Sequence, residues 1–536
     1  MARPPAGDGR GRFGVAVLAL VGVLAPVIGC GDDADVLSAA PAATATPTSS
    51  GTPTQTPTPT ATPTQIRGDS VASPNIEGPV TGGKGVPFIA STTFDLAQVG
   101  YSEAEYFISG TAAAYTNVDS LTNDGKWTVT PADTAAYKTR ILVHRPIDRE
   151  KFNGTVIVEW LNVSGGLDAA PDWLSAHTEL IREGCAWVGV SAQYVGVEGG
   201  KSILGLPVTP LKTTDPERYG SLVHPGDSFS YDIFSQSAQA VRRPAGISPL
   251  GELQIGAVIA AGESQSAFRM VTYINAIHPL ADIYDGFLVH SRGGSGSGAA
   301  PLSEQPQPAI PVPAAAPIRS DLNVPVLTFE TETDLTITFF SYLPARQADS
   351  DRFRLWEVAG TAHADAYMLT VGSTDRGDSP DAATLILTST PVPGFTCRAP
   401  INSGPQHFVL NAAMAALIQW VRHGTPPPHA PLLDVTGTGK IVRAANGNAL
   451  GGIRTPEVDV PIARLSGEGQ SGSILCLLFG TTKLFNQATL ASLYADHNAY
   501  VSAFNAATDQ AVSAGFILEP DAELMKAAAA SSDIGM

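Results

Sequence analysis

From Gly85 onward, short runs of β-branched and apolar residues alternate with longer stretches whose apolar positions recur at three and four residues. The short runs predict strands: Arg140 to Pro146 (RILVHRP), Gly154 to Asn162 (GTVIVEWLN), Cys185 to Gln193, Leu253 to Ser264 (LQIGAVIAAGES), Ile283 to Ser291, Val324 to Glu330 and Phe353 to Gly360. Helical spacing covers Ala170 to Glu183, where Trp173, Leu174, His177, Leu180 and Ile181 recur, and also Tyr231 to Arg243 and the segment from Ser264 through His278. A further helix, His407 to Gly424, stops at glycine ahead of Pro426 to Pro428. Ser492 to Ser532 predicts two or three more helices, expected to pack on the main sheet. Continuously apolar strands separated by helices are the pattern of a mostly parallel sheet with helices on both faces, an α/β architecture.

The N-terminus reads differently. Arg3, Arg10 and Arg12 precede an apolar run, Phe13 to Ile28, that ends in Gly29 and Cys30; it is too short for a stable spanning helix and reads as a secretory signal. Val27 to Cys30 resembles a bacterial lipobox, which makes Cys30 a candidate lipidated N-terminus. Residues Ala39 to Gln65 are almost entirely Ala, Pro, Thr and Ser, too polar to bury a core and stiffened by proline toward an extended spacer. The expected organisation is a signal segment over 1–30, a linker over 31–84 and one domain over 85–536.

A chain of 536 residues with 43% hydrophobic content buries a large core. The net charge of −18 is spread along the chain with no basic patch, which argues against nucleic acid or an anionic membrane as partner of the folded part. Membrane attachment is expected only through Cys30. Cys185, Cys397 and Cys476 show no metal-ligand spacing, and one disulfide plus one buried thiol suits an exported protein, with the pairing left open.

Chemistry concentrates where strands end. Gly262-Glu263-Ser264-Gln265-Ser266 follows an apolar strand and opens a helix, a variant of the Gly-x-Ser-x-Gly turn that holds a serine hydroxyl clear of the backbone, with Ser266 in place of the last glycine. A serine hydroxyl is a weak nucleophile and needs a base, a group that orients the base, and donors for an oxyanion. The chain supplies them in the order Ser, acid, His: Glu332 and Asp334 after one strand, His363 in the turn after the next. Asp334 is the preferred acid, Glu332 the alternative, and Glu330 remains possible. The oxyanion donors are expected from Gln265 and from the loop Asn162 to Gly165, with Val163, Ser164 and Gly165 not separated. His290 is a candidate for the substrate pocket. Two insertions, Arg292 to Pro317 and Tyr194 to Ser230, stand where a cap over the site belongs.

Taken together, VEWLNVSGG, GESQSA, VPVLTFETETD, VAGTAHAD and the final helical stretch make the chain from about Gly85 to its end resemble the bacterial alpha/beta-hydrolase domain proteins with a Gly-Glu-Ser-Gln-Ser elbow. The resemblance implies the alpha/beta-hydrolase fold and serine hydrolase chemistry without fixing a substrate. The expectation is an exported serine hydrolase for a small-molecule carboxylic ester, using Ser264, His363 and Asp334 and requiring no metal or organic cofactor. A serine peptidase and a non-catalytic surface protein that kept the fold are the alternatives. Oligomeric state leaves no signal in the pattern.

Overall fold

The computed structural model describes residues 67–203, 205–294, 300–387 and 396–536, so the signal segment, Cys30 and most of the Pro/Thr-rich linker lie outside the described residues. Strands run in chain order as β1 (Asn75–Glu77), β2 (Tyr101–Asn117), β3 (Val129–Pro146), β4 (Thr155–Trp160), β5 (Ala186–Val190), β6 (Ala257–Glu263), β7 (Gly286–His290), β8 (Val326–Thr331) and β9 (Phe353–Val358). They form one nine-stranded sheet in the order β1-β2-β3-β5-β4-β6-β7-β8-β9. Pairing is antiparallel from β1 through β5 and parallel from β5 to β9. Every residue of β4 through β9 is buried, because helices cover both faces and leave no side for polar alternation. A small hairpin, β10 (Ala463–Ser466) with β11 (Thr481–Leu484), stands apart from this sheet.

The helices that matter for the site are α1 (Pro171–Arg182), α2 (Ser230–Arg242), α3 (Gln265–Thr272), α4 (Glu332–Thr336) and α5 (Gln406–His423); α6 (His497–Ser513) and α7 (Glu519–Ser531) close the chain. α1 has no capping side chain of its own at Ala170. Instead Glu159 of β4 accepts from Asp172 N at 3.0 Å and Trp173 N at 2.9 Å, so a carboxyl from the sheet meets the positive end of the helix. The last helices attach to the helical layer rather than to the sheet face: Asp521 of α7 accepts from Arg182 of α1 and Asn411 of α5, each at 3.0 Å. Between α6 and α7, Phe516 reaches the sheet edge, 5.1 Å from Trp356 of β9 between ring centres.

Two expectations change. The folded region begins by Arg67 rather than Gly85: Val71 and Ile76 join the core, β1 pairs with β2, and Arg67 forms ion pairs with Asp282 and Asp285 just before β7. Two isolated apolar residues among glycines and prolines carry no periodicity, so the boundary was invisible. Of the long β2–β3 hairpin, the sequence pattern predicts only the end of β3, Arg140 to Pro146. Its β2 strand is interrupted by Ser, Glu and Ala, and it buries Glu105, whose carboxyl is held by Arg140, Arg218 and Tyr219.

Cys397 is bonded to Cys476, while Cys185 is free and fully buried, its thiol pushed up to about 12 by burial. Since the thiolate is the reactive form, native protein at pH 8 should leave Cys185 unmodified by iodoacetamide, and denaturation without reductant should expose it to full alkylation. Peptide mass mapping of Cys185 in the two samples checks this; modification in the native sample would show an open thiol.

Candidate active site

The chain turns from β6 into α3 at one residue, and the turn is strained. Ser264 has φ 57° and ψ −120°, a region L-residues avoid, at a cost on the order of 1–3 kcal/mol. Two backbone hydrogen bonds hold it there, Ser264 N to His290 O of β7 at 2.9 Å and Phe268 N to Ser264 O at 3.1 Å. The tightness also explains Gly262, where an added Cβ would lie 3.0 Å from Ser266 O and 3.2 Å from Ser266 Cβ. The position occupied by Ser266 accepts a Cβ, so the absent second glycine does not open the turn.

Ser264 Oγ lies 2.9 Å from His363 Nε2, and His363 Nδ1 hydrogen-bonds Asp334 Oδ1. Three residues from the ends of β6, β8 and β9 thus meet in one line, 99 and 29 positions apart in sequence. The other oxygen of Asp334 accepts from Thr331 N at 2.8 Å, Thr331 Oγ1 at 2.7 Å and Ser291 Oγ at 2.9 Å. Burial would raise this carboxyl, but His363 and the Thr331 donors outweigh it and hold Asp334 below the usual carboxylate range. An ionised Asp334 fixes the Nδ1–H tautomer and leaves Nε2 free to accept the Ser264 proton. Thr331 also caps α4, and that four-residue Thr-x-x-Asp box was readable in the sequence although its consequence for Asp334 was not.

The alternative acid is elsewhere. Glu332 points to the turn that carries His363 and to the β10 region, accepting from Gly360 N at 2.7 Å, Gly467 N at 3.0 Å and Arg443 Nη2 at 2.9 Å. Two residues further along a helical turn, Asp334 faces the opposite way, which is why only one of the pair reaches the imidazole. Glu330 is buried within β8, where burial and then the charge of Asp334 push its carboxyl well above the usual range. His290 is not a pocket residue: it is fully buried, with Nδ1 2.8 Å from Asp172 Oδ1 and Nε2 3.0 Å from Gln406 Nε2. The amide of Gln406 donates to Nε2, so Nδ1–H donates to Asp172.

Opposite Ser264 runs the loop after β4. Asn162 organises it: Oδ1 accepts from Ser164 N at 2.9 Å while Nδ2 donates to Glu263 O at 3.2 Å. The Ser164 N–H is therefore spent within its own loop and leaves the set of candidate oxyanion donors. Among the described residues no hydrogen bond occupies the N–H of Val163 or Gly165, and Gln265, the first residue of α3, has no acceptor within its helix. The Tyr194 to Ser230 insertion clamps this loop through Ser202 Oγ to Ser164 O at 2.8 Å and Thr209 N to Gly166 O at 2.9 Å. The Arg292 to Pro317 insertion lies along α3, where Ala300 N donates to Phe268 O at 3.0 Å and Glu304 pairs with Arg269 at 2.7 Å.

Apolar side chains close over the imidazole. The ring of Phe340 stands 5.4 Å from that of His363, edge-on to Phe268 and Phe339, in a small cluster that includes Met368, Ile401 and Phe479. Ser264 is only 2% exposed, so charge at this site interacts across a poorly screened medium. No group of three or more His, Cys, Asp or Glu among the described residues could hold a metal ion.

A model of the family described as "Alpha/beta hydrolase domain" matches residues 76–527. No curated protein matches the chain. Solved structures similar to it include a fungal esterase from Rhizomucor miehei, 13% identical, covering 58% of this chain and 85% of its own at a TM-score of 0.27. A serine hydrolase without a lid from Xanthomonas campestris is 12% identical over 41% of this chain and 78% of its own, TM-score 0.24. Est1E from Butyrivibrio proteoclasticus, solved with ferulic acid bound, is 12% identical over 44% of this chain and 92% of its own, TM-score 0.27. With a family match running from within β1 to within α7 and enclosing every residue of the site, the chain belongs to the alpha/beta hydrolase domain family.

Proposed function

We propose that the protein is an exported serine hydrolase that cleaves carboxylic esters by way of an acyl-enzyme. The observation that carries this reading is the unbroken line from Ser264 Oγ through His363 to Asp334, at a strained turn between β6 and α3. Ser264 Oγ attacks the acyl carbon as His363 Nε2 takes its proton. Asp334 stabilises the imidazolium, and the N–H groups of Gln265 and of Val163 or Gly165 face the oxyanion. The proton then passes to the departing alkoxide, and water repeats the sequence on the ester of Ser264.

Ser264→Ala should abolish turnover of p-nitrophenyl esters of any acyl length, by about 10³-fold or more in kcat, with an unchanged thermal melt. Fluorophosphonate labelling of the wild type at Ser264 alone is the companion measurement; hydrolysis that survives the substitution would sink the assignment.

The two neighbouring acids should separate by kind of effect. Asp334→Asn should lower kcat on the order of 10²-fold or more at nearly full stability, because it disturbs the imidazole tautomer. Glu332→Gln should instead cost about 1–3 kcal/mol of stability with little change in kcat, since it weakens the pins on Gly360 and Gly467. Parallel kinetics and denaturant titrations decide it, and the reverse pattern would move the acid role to Glu332.

Attachment to a membrane through a diacylated Cys30 is the second part of the proposal, resting on the lipobox-like Val27 to Cys30 and the proline-rich spacer behind it. Mass spectrometry of the mature N-terminus from the membrane fraction should find lipid on Cys30. An unmodified N-terminus cut elsewhere would leave a secreted protein.

A further inference from the structure

Glu263, the residue before Ser264, ends β6 with its side chain fully buried. Its Oε2 accepts from Asn162 Nδ2 at 3.3 Å. Its Oε1 has no hydrogen-bond partner among the described residues and lies 3.5 Å from His363 Nε2, the atom that shuttles the proton. An unpaired buried oxygen costs about 1–3 kcal/mol, so its place beside an atom whose hydrogen-bonding changes during turnover is informative. The titratable groups around it are His363, Asp172 of α1, Asp334 of α4 and Glu159 of β4, with Asp172 itself bound to His290 of β7. Burial, and then the neighbouring carboxyls, push Glu263 well above the usual range, which favours the protonated acid.

We propose that Glu263 is a second positioning partner of the imidazole: while Ser264 is acylated, Glu263 Oε1–H stands in for Ser264 Oγ–H at His363 Nε2. The proposal rests on the serine-hydrolase reading. In the free enzyme Ser264 gives its proton to the hydrogen bond with Nε2. Acylation forms the Oγ–carbon bond, and the proton moves to Nε2 and leaves with the alkoxide. The imidazole is then neutral, its Nε2 lone pair has lost its donor, and Asp334 alone holds the ring, from the Nδ1 side. Glu263 is already within reach, and a small approach completes the O–H···N bond without transferring the proton. The deacylating water displaces Glu263 from Nε2, so the ring waits in position until that water arrives. Asn162 ties the device to the oxyanion loop, because the same amide that holds Glu263 Oε2 also holds Ser164 N through Oδ1.

Two substitutions separate positioning from packing. Glu263→Met keeps the volume and removes the donor; Glu263→Gln keeps an oxygen for Asn162 and offers an N–H to Nε2. With a p-nitrophenyl ester, Glu263→Met should lower kcat about tenfold or more while kcat/KM stays within about twofold, so KM falls in step and acyl-enzyme accumulates in intact mass spectra. Glu263→Gln should stay within about threefold of wild type in both constants. Unchanged kcat in Glu263→Met, equal losses in kcat and kcat/KM, or a Glu263→Gln variant as slow as the Met one would each overturn the proposal. The wild type gives a test that no folding defect can spoil: in a crystal structure of the fluorophosphonate adduct, Glu263 Oε1 should have closed to about 3.2 Å or less from Nε2. An adduct on Ser264 with the gap still open refutes the role of Glu263, whereas failure to form any adduct on Ser264 refutes the serine-hydrolase reading instead.

Discussion

One hydrogen bond buried from water, between Asp334 and His363, sets the terms for the rest of the molecule. A carboxylate taken out of solvent costs several kcal/mol unless it is paired and its remaining lone pairs are met. Asp334 satisfies that condition with the imidazole on one oxygen and Thr331 and Ser291 on the other. Those donors come from the ends of β7 and β8, and the imidazole from beyond β9, so the charge can be buried only if three neighbouring parallel strands finish in register. The sheet and the site are therefore one construction. A shift of any of these strands would strand a charge in the core.

The same logic is repeated behind the site in tiers. Glu332 joins the turn after β9 to the β10 hairpin and to Arg443, fixing the loop on which His363 rides. Glu159 fastens α1 and accepts from Trp187 at 2.8 Å, and Asp172 at the start of that helix steadies His290, whose carbonyl in turn receives Ser264 N. Burial pushes both carboxyls up; at Glu332 it prevails even with Arg443 beside it, whereas at Asp334 His363 and the Thr331 donors outweigh it, so two acids in one short helix are set to different charge behaviour by their partners.

The legible part of the chain was the part with a period. β4 through β9 are continuous apolar runs between helices, and each of the sequence-predicted strands there has its counterpart in the sheet. Ser264, Asp334 and His363, which the structure brings into hydrogen-bond contact, each follow such a run. What could not be read depends on direction rather than spacing. Glu332 and Asp334 differ by two positions on a helical turn, and only the Thr331 cap, which orients α4, separates them. His290 looked like a pocket residue because it ends a strand, yet its partners Asp172 and Gln406 lie 118 and 116 residues away. Glu263 sat in plain view inside the motif, but nothing in a linear sequence says that one of its oxygens lacks a partner. β1 and the segment from Arg67 were hidden for a simpler reason, having too few apolar residues to show any pattern.

The ion pairs of Arg67 with Asp282 and Asp285 have a directional meaning. Those aspartates precede β7, at the edge of the sheet where the parallel strands begin, whereas Ser264, Asp334 and His363 gather where the strands end. The chain thus enters the domain on the floor opposite the site, and Arg243 with Asp69 adds a second rivet beside the first.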